Sequence, residues 1–424
     1  MTISVVTPTH RGIPTILDAY ESLKAQTYAD WQWVVVPNSG AQLSEEMLHD
    51  PRVRIVPFTG KPIDGARHSI GALKHFACDY ATGDVYLELD DDDVLSPDCL
   101  ATFAETYRDP SVQAAYGNVC TYRWPSKEPV TYSAYWGWQY RDCQFAGHPM
   151  REAIAWPPGP WPLRHIYWSP NHPRSWRAAA YHAIGGHDPK LDLVDDHDLN
   201  IRMYLTYGEH GIRHIDRALY GYRLFDDSTC KEYSAQIRRL DEQMYVQYIE
   251  RLAMRWARDN GLRCLDLGGA LGPRAGYTIV DREDAADVMC DLNNDWPFPD
   301  NSTGVARASH LFEHLYNPIH TMNELYRVLA PGGFALIEVP STDGRGAWQD
   351  PTHVSYWNEN SFWYYTRRIH AAYIPEFRGR FQVSDLRTYF PSKWWEEHNI
   401  PVVRAHLIAL KAGYEERHAG EVLI

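Results

Sequence analysis

Four consecutive aspartates, Asp90, Asp91, Asp92 and Asp93, are the residues of this chain best suited to binding a metal ion. They follow the apolar run at positions 85–89, which is typical of a buried strand. Adjacent carboxylates repel one another, so a hard divalent cation, Mg²⁺ or Mn²⁺, is their natural partner. Such a cation takes few protein ligands and completes its shell with phosphate oxygens. The stretch therefore predicts a strand end that holds a metal and, through it, a diphosphate; the alternative is a solvated acidic turn.

The elements before these aspartates are expected to bring further loops to the same place. Apolar patterns predict strands at positions 3–6, 33–36 and 53–56, and helices at 13–25 and 70–80. Strands and helices that alternate in this way are typical of a parallel, doubly wound α/β sheet. Ligands bind such sheets at the carboxyl ends of the strands. Pro8 with Thr9, Pro37 with Asn38, and the four aspartates all fall at such ends.

The order of these motifs resembles the inverting glycosyltransferases of family 2, which have the GT-A fold. L-D-D-D-D-V-L-S-P resembles their metal-binding motif, V-V-T-P-T-H-R-G their opening V-V-I-P-T-Y-N-R, and A-R-H followed by A-T-G-D their A-R-N to A-T-G-D segment. The resemblance implies a nucleotide-sugar donor and a metal bound by Asp90, Asp92 and Asp93. It implies that the donor lies against Pro8, Thr9, Asn38, Arg67, Asp90 and Asp91.

Departures from the family pattern leave parts of this site open. The family has two aspartates after its second strand, one of which reads uracil, whereas this chain has Pro37 and Asn38. An Asn38 amide could still contact a base, but the nucleotide is not defined. In Y-R-L-F-D-D-S, which resembles Y-R-x-H-x-x-S, Phe225 replaces the histidine that often completes the metal shell. Either Asp226 or Asp227 substitutes for it, or the metal keeps a water.

The acceptor side is predicted from two later motifs. G-G-H-D followed by V-D-D-H-D-L resembles the family's G-G-F-D and E-D-x-D-L. An inverting transfer needs a carboxylate that takes the proton of the attacking hydroxyl, and by position Asp196 is that base. Asp195 replaces the usual glutamate, and Asp198 is expected to be a buried structural acid. The irregular stretch at 123–176, rich in Trp, Tyr and Pro, is either a set of aromatic acceptor platforms or a packed structural loop.

A second pattern begins at Leu262, where a strand enters a glycine turn and the next strand ends in an acid. Glycines there allow close approach to a cofactor, and the acid can hold a ribose. Together with W-P-F-P-D, F-E-H-L and R-V-L-A-P-G-G, whose P-G-G is expected to be a turn, this order resembles the Rossmann-like S-adenosylmethionine-dependent methyltransferases. The resemblance implies that S-adenosylmethionine binds at Asp266, Gly268, Gly269, Asp281, Asp291 and Leu292.

This second resemblance also has departures. Ala270 replaces the middle glycine of D-x-G-x-G-x-G, and the link of residues 268–276 is too short for a full crossover helix. The helix is therefore expected to be short or absent, and both an active methyltransferase and a degenerate scaffold stay open. His353, in Q-D-P-T-H, is a candidate general base on a sugar hydroxyl, the alternative being a hydrogen-bonded loop histidine.

Bulk composition excludes some classes of function. A chain of 424 residues with a formal net charge of −14 and no basic stripe is not expected to bind nucleic acid in general. Seven scattered cysteines without a C-x-x-C pair are typical of reduced thiols. No signal peptide and no apolar run of about 20 residues is visible, so we expect a cytoplasmic protein without a transmembrane segment.

These patterns predict an α/β protein with a GT-A domain at 1–231, a bridging helix at 232–261 and a Rossmann-like methyltransferase domain at 262–424. The first domain would transfer a sugar, with inversion, to a glycan or other hydroxyl acceptor. The second would methylate the product or a related hydroxyl. One alternative is a glycosyltransferase whose second domain only docks a partner. Another, a glycan-binding protein with both sites inactive, is disfavoured by the intact carboxylates.

Overall fold

The chain forms two compact units. A computed structural model describes residues 1–60, 68–225 and 229–414. The first unit comprises Met1–Ser133 and Trp138–Tyr248, and the second comprises Ala134–Gly137 and Ile249–Ile424. The boundary near residue 248 falls inside a single long helix, Thr229–Asp259, in the region where sequence patterns predict a bridging helix.

The first unit is built on one large mixed sheet. Its strands are β1 (Ile3–Thr9), β2 (Trp31–Pro37), β3 (Val53–Ile55), β4 (Val85–Glu88), β5 (Val94–Leu95), β6 (Ala114–Arg123), β7 (Tyr140–Phe145), β8 (His148–Ala153), β9 (Arg174–Arg177) and β10 (Ile212–Leu224). Its helices are α1 (Thr15–Lys24), α2 (Glu45–His49), α3 (Ile70–Asp79), α4 (Cys99–Thr106), α5 (Ala178–Ala183) and α6 (Asp195–Tyr207), and the boundary helix is α7 (Thr229–Asp259). The predicted strands and helices of the first 90 residues are all present.

The strand order of this sheet is β3-β2-β1-β4-β9-β6-β10-β5. The first four strands are parallel, as the alternating pattern predicts. Strand β9 then runs antiparallel to both β4 and β6 and makes the sheet mixed. Strands β7 and β8 form a hairpin that pairs with β6, within the stretch that sequence patterns describe as irregular. The carboxyl ends of β1, β2 and β4 share one edge, where parallel sheets bind ligands.

Buried side chains explain why these strands and helices form. Trp33, Leu87, Leu100 and Phe103 are completely buried in the core of the first unit. Tyr20 of α1 stacks on Trp33 with ring centroids 5.8 Å apart. Aromatic pairs of this kind stabilise a core beyond the area that they bury. The apolar faces of the flanking helices therefore hold the sheet in place and leave its carboxyl edge to polar residues.

A glycine sets the position of α3 against the chain that leads into α6. The α3 N-cap residue Ser69 accepts a hydrogen bond from Ala72 N at 3.3 Å and donates to Leu191 O at 2.6 Å. Gly71 N also donates to Leu191 O, at 3.1 Å, and a Cβ at Gly71 would lie 2.3 Å from Asp188 O. Only glycine permits this approach, which brings the next turn of α3 to the start of α6.

The second unit carries a seven-stranded sheet. Its strands are β11 (Arg263–Leu267), β12 (Thr278–Asp281), β13 (Val288–Met289), β14 (Thr303–Ser309), β15 (Leu329–Pro340), β16 (Phe381–Tyr389) and β17 (Val402–Ala409), in the order β13-β12-β11-β14-β15-β17-β16. Its helices are α8 (Pro318–Val328), α9 (Gly346–Gln349), α10 (Glu359–Thr366), α11 (Arg368–Ala371) and α12 (Lys393–Glu397), with a 3₁₀ helix at Phe312–His314. The first five strands in this order are parallel, and β17 runs antiparallel to both of its neighbours, β15 and β16.

Two local predictions for this unit can be compared with the structure. No helix lies between β11 and β12, within residues 268–277, in agreement with the short link. The P-G-G segment predicted as a turn is instead part of the long strand β15, where a register shift against β14 and a positive φ of 78° at Gly332 accommodate it. Among the described residues, no helix has the length and apolar character needed to cross a bilayer.

Candidate active sites

Three strand ends of the first unit are tied together by hydrogen bonds at the aspartate cluster. Thr9 Oγ1 donates to Asp91 Oδ2 at 2.5 Å, and Thr7 Oγ1 donates to Leu89 O at 2.6 Å, joining β1 to the end of β4. The backbone amide and the Nδ2 of Asn38 each lie 2.9 Å from Thr9 O, joining β2. The structure thus brings together the predicted donor residues Thr9, Asn38 and Asp91, and Pro8 lies beside Thr9 in β1. Arg67, Asp226 and Asp227 lie outside the described residues.

The four aspartates do not have equal access to a ligand. The side chain of Asp90 is 37% exposed and that of Asp92 is 20% exposed. Asp91 is buried against Thr9, and Asp93 is buried and accepts a hydrogen bond from Arg223 N at 2.7 Å. Asp90 and Asp92 are therefore the pair that faces outward, whereas Asp93 connects the cluster to β10.

Unbalanced negative charge at this cluster fits a divalent cation. Burial, with the neighbouring charges of Asp90 and Asp91, raises the pKa of Asp92 to about 7. Burial also raises the pKa of Asp90. Carboxylates that are hard to ionise together become stable as anions when a cation binds between them, and oxygen ligands are those that Mg²⁺ and Mn²⁺ prefer. Asp90 and Asp92 fit such an ion, while Asp93 has one oxygen already committed to a backbone amide.

Two arginines stand beside the cluster. Arg11 Nη2 lies 3.8 Å from Asp92 Oδ2. Arg223 is buried and donates to Thr15 O at 3.1 Å, to the Asp92 carbonyl and to the Asp18 carboxylate. The ring of Phe225 lies 5.3 Å from the Arg11 guanidinium and 5.5 Å from that of Arg223. Phe225, at the position where the family pattern has a histidine, therefore lies close to the guanidinium groups of both Arg11 and Arg223.

The predicted base Asp196 is held by Arg174. Arg174 Nη2 donates to Asp196 Oδ2 at 2.7 Å, and Asp196 Oδ1 accepts the His197 amide at 2.8 Å. Burial alone would raise the pKa of Asp196, but the charges of Arg174 and Lys74 lower it. Asp196 is thus kept ionised, with its side chain 18% exposed at the start of α6.

Glu88, the last residue of β4, is the centre of a buried charge network. Its Oε2 accepts from Arg174 Nε at 2.9 Å, and its Oε1 lies 3.0 Å from both Lys74 Nζ and His187 Nε2. Although burial opposes it, the charges of Lys74 and Arg174 hold the pKa of Glu88 well below its usual range. Buried charges persist only when they are paired in this way. The network fixes Arg174 under the site.

One chain of contacts joins the two halves of the first-unit site. His172 Nε2 lies 3.8 Å from Asp90 Oδ2 and accepts a hydrogen bond from Arg174 Nη2 at 2.7 Å. The same nitrogen of Arg174 reaches Asp196. Burial and the charge of Arg174 hold the pKa of His172 well below its usual range, so its imidazole is neutral. Asp90, a predicted metal ligand, and Asp196, the predicted base, are therefore linked through the side chains of His172 and Arg174.

The other acids at the start of α6 have different environments. Asp195 is buried 3.7 Å from Lys74 Nζ, and burial raises its pKa to about 7. Asp198 pairs with Arg202, whose Nη1 and Nη2 donate to Ile184 O and Gly186 O. Asp198 thereby supports the double-glycine turn, in keeping with a structural acid.

Sequence patterns did not single out Lys74, Glu88, His172 and Arg174. Arg174 and its partner Glu88 are 86 positions apart along the chain, and an arginine in a short strand carries no periodic signal. The one available signal was a charged residue, Glu88, inside an apolar run.

The aromatic stretch of the first unit contains packed indoles. Trp156, Trp161 and Trp168 are each at most 2% exposed, and Trp156 and Trp168 stack with centroids 4.7 Å apart. This part of the stretch is therefore packed structure. Tyr132, near the start of the same stretch, is 42% exposed.

In the second unit, the glycine turn meets the acid at the end of β12. Gly268 N donates to Val280 O at 2.8 Å, and Ala270 N donates to Asp281 Oδ2 at 3.1 Å. Gly268 has a φ of 74°, which favours glycine. The structure thus brings Gly268, Gly269 and Asp281 together, and an acid beside a glycine turn fits the ribose end of a nucleoside cofactor.

The remaining predicted cofactor residues differ in access. Asp266 is completely buried, with Arg307 Nη1 2.9 Å from its Oδ1. Asp291 follows β13, where Cys290 N donates to Asp281 O at 2.8 Å, and its side chain accepts from Asn293 N at 3.0 Å. The Leu292 side chain is buried. Asp266 is therefore a buried acid below the glycine turn. Asp291 is exposed and directly follows Cys290, the residue that is hydrogen-bonded to Asp281.

Comparison with known protein families identifies both units. Residues 4–156 match the family model "Glycosyl transferase family 2", and residues 238–389 match a model described as "Methyltransferase domain". The chain therefore joins a family 2 glycosyltransferase domain of GT-A-like fold to a methyltransferase domain, as its motifs predict. No curated protein matches the chain.

Solved structures similar to this chain are distant. TarS residues 1–349 from S. aureus has 16% sequence identity and a TM-score of 0.39, with 65% of this chain and 76% of that one covered. The same protein in complex with UDP-GlcNAc has 15% identity, a TM-score of 0.42 and coverage of 65% and 77%. The mannosyltransferase PcManGT from Pyrobaculum calidifontis, in complex with GDP-Man and Mn²⁺, has 16% identity, a TM-score of 0.34 and coverage of 56% and 60%.

Proposed function

We propose that the protein transfers a sugar, with inversion, from a nucleotide-sugar donor to a hydroxyl acceptor, and that its second unit methylates the product or a related hydroxyl. The observation that carries the first activity is the linked group of Asp90, His172, Arg174 and Asp196. It sets a metal-facing carboxylate close to an ionised carboxylate that can act as a base. The family match supports sugar transfer as the reaction class.

Each side chain has a part in this proposed transfer. Asp196 takes the proton from the acceptor hydroxyl as its oxygen attacks the anomeric carbon, and Arg174 keeps Asp196 ionised until then. Thr9 and Asn38 hold the strand ends against which the nucleotide would lie. A divalent cation held by Asp90 and Asp92 would neutralise charge on the leaving diphosphate. Arg11, beside Asp92, is positioned to contact the same phosphates.

The methyl transfer is proposed for the edge of the second sheet. S-adenosylmethionine, bound over Gly268 and Gly269 with its ribose on Asp281, would supply the methyl group. His353, whose Nδ1 lies 2.9 Å from Ala347 O, would act on the acceptor hydroxyl. Trp348 and Tyr356, 60% and 48% exposed, stack with centroids 4.5 Å apart on either side of His353 in sequence. Exposed rings of this kind suit the apolar face of a sugar.

A second candidate is a glycosyltransferase whose second unit is only a docking module. The missing helix between β11 and β12 favours it, because helix amides that could face the carboxylate end of the cofactor are absent from residues 268–277. For both candidates, the proposed domain limits are 1–231 for the glycosyltransferase domain, 232–261 for the bridging helix and 262–424 for the methyltransferase-like domain.

The test of the main proposal is a mass-spectrometric screen of the purified full chain against a panel of nucleotide-sugars with Mn²⁺. Donor hydrolysis or sugar transfer that is lost on chelation would support the first activity. Addition of methyl-labelled S-adenosylmethionine to the same reactions tests the second. A folded protein that turns over none of the donors would contradict the transferase assignment.

Asp92→Asn is expected to weaken Mn²⁺-dependent nucleotide binding at least about tenfold, because one of the two outward carboxylates loses its charge. Calorimetry with a nucleoside diphosphate and Mn²⁺ measures the effect. The matched control is Asp84→Asn, because the Asp84 carboxylate accepts a hydrogen bond from Thr2 N at 2.8 Å just before β4, at the end of that strand away from the aspartate cluster. Equal Mn²⁺-dependent nucleotide binding by Asp92→Asn and the control would show that Asp92 is not a metal ligand.

Asp281→Ala is expected to lower affinity for S-adenosylhomocysteine about ten- to a hundredfold. A hydrogen bond to a charged group contributes about 1.5–3 kcal/mol, and Asp281 would hold the ribose hydroxyls. Calorimetry on the full chain gives the dissociation constant. Asp287→Asn is the control, because the Asp287 carboxylate precedes β13 and accepts a hydrogen bond from Ile279 N at 2.8 Å, near the start of β12 rather than at its carboxyl end. If the wild-type chain fails to bind millimolar ligand, the docking-module alternative is favoured.

A further inference from the structure

A buried carboxylate in the second unit has no hydrogen-bond partner among the residues that the structure describes. Glu313 lies in the 3₁₀ helix Phe312–His314, just beyond β14, and is 2% exposed. Neither Oε1 nor Oε2 accepts a hydrogen bond; His310 Nδ1, 3.4 Å from Oε1, does not form one. An ionised carboxylate in such a place needs a cation to compensate for lost hydration.

Two histidines present nitrogen atoms to the same point. One ligand atom from each of Glu313, His314 and His353 lies within 4.8 Å of the others. His353 Nδ1 lies 2.9 Å from Ala347 O, and His314 Nδ1 lies 3.2 Å from Thr352 O. A carbonyl only accepts, and the Thr352 hydroxyl, also 3.2 Å from His314 Nδ1, donates its proton to Asp350 Oδ1 at 2.7 Å. Both Nδ1 atoms are therefore assigned the proton, which leaves each Nε2 with a lone pair. Histidines that bind metals are commonly oriented in this way, by a carbonyl on the other ring nitrogen.

We propose that Glu313, His314 and His353 bind a divalent transition-metal ion of the Zn²⁺ type. Two imidazoles with one carboxylate favour such an ion over Mg²⁺ or Ca²⁺, which prefer oxygen ligands alone. Asp350 Oδ2, 3.9 Å from His353 Nε2, adds negative charge beside the site. Three protein ligands leave a coordination position open for a water or a hydroxyl.

The place of this site in the fold suggests its use. Strands β11 and β14 are parallel neighbours, so the glycine turn after β11 and the 3₁₀ helix after β14 lie at one edge of the sheet. The Leu311 side chain packs against Gly268. On the proposed methylation, the ion would bind the acceptor hydroxyl and lower its pKa, so that the hydroxyl would lose its proton to solvent water. The resulting oxygen would form the bond to the methyl group as the bond from methyl to sulfur breaks and S-adenosylhomocysteine leaves, and His353 would hold the ion rather than act as a free base.

Cobalt binding to the full chain tests the proposal separately from methylation. The protein is stripped of metal, and Asp90→Asn with Asp92→Asn removes the aspartate site of the first unit. Titration with Co²⁺ is followed by its visible absorption, which reports nitrogen ligands, and by equilibrium dialysis. We expect one bound ion per chain with a Co²⁺–imidazole spectrum, and competition by Zn²⁺.

Variants of the three ligands define the outcome. His353→Ala, His314→Gln and Glu313→Gln should each weaken Co²⁺ binding about a hundredfold or more, whereas His398→Ala, on the same unit, should not change it. Circular dichroism confirms that each variant is folded. If His353→Ala does not fold, His314→Gln provides the test in its place. A spectrum and stoichiometry that are the same in all ligand variants would overturn the proposal. Metal binding without methyl transfer would count against the proposed function and leave the site intact.

Discussion

Asp196→Asn is expected to reduce sugar transfer by about a hundredfold or more while donor binding stays near normal. The amide keeps the shape of the side chain and its contact with the His197 amide, but it cannot take a proton. The rate of transfer and the dissociation constant of the donor are measured separately. Because only the chemical step uses the base, the loss should appear in kcat rather than in donor affinity.

The pH profile of transfer gives an independent view of the same residue. Burial opposes ionisation, yet Arg174 and Lys74 lower the pKa of Asp196, so the base form persists as the pH falls through the ordinary carboxylate range. Asp79→Asn, at an exposed position of α3, is the matched control and should behave as wild type. Near-normal transfer by Asp196→Asn would move the base to another acid, with Asp195 the first to test.

Glu88→Gln is expected to lower the free energy of unfolding of the first unit by about 3–5 kcal/mol. The change leaves Lys74 and Arg174 as buried cations that have lost a shared partner, and breaking one member of a buried ion network costs about this much. Hydrogen exchange of peptides from β4 and β9, which flank the network, measures the loss. Glu105→Gln, in an exposed pair with Arg108, should change stability by less than about 1 kcal/mol.

The same network predicts how stability depends on pH. The folded-state pKa of Glu88 lies below its unfolded value, so its contribution is complete above the unfolded pKa and is lost as the pH falls toward the folded pKa. The wild-type protein should therefore lose stability on acidification more steeply than Glu88→Gln. Parallel acid limbs for the two proteins would contradict the assignment of charge to Glu88.

The fold was largely predictable from local patterns, because the first four strands and their helices alternate regularly. The aspartate cluster was found for the same reason, since it directly follows a strong apolar run. The insertion of β9 between β4 and β6 could not be predicted, because antiparallel pairing with β4 joins residues nearly a hundred positions apart. Arg174 is the first residue of β9, so the link that it forms between Asp90 and Asp196 could not be predicted from the sequence either.

In the second unit, motif spacing predicted the missing helix but not the environment of individual acids. Asp266 looks like Asp281 in sequence, as an acid in a short strand beside the glycine turn. In the fold, Asp266 points into the unit toward Arg307, while Asp281 receives the Ala270 amide at the turn. Which face of the sheet a residue takes depends on register, which is set by pairing across the sheet rather than by the local pattern.

The position of Arg174 has a consequence for the order of events. Its Nη2 donates both to His172, next to Asp90, and to Asp196, so a change of charge on one side is felt on the other. Coupling between two binding equilibria is reciprocal: if a cation at Asp90 makes Asp196 harder to protonate, then loss of that proton must tighten cation binding by the same factor. Donor loading and readiness of the base would thus favour each other without any movement of the backbone.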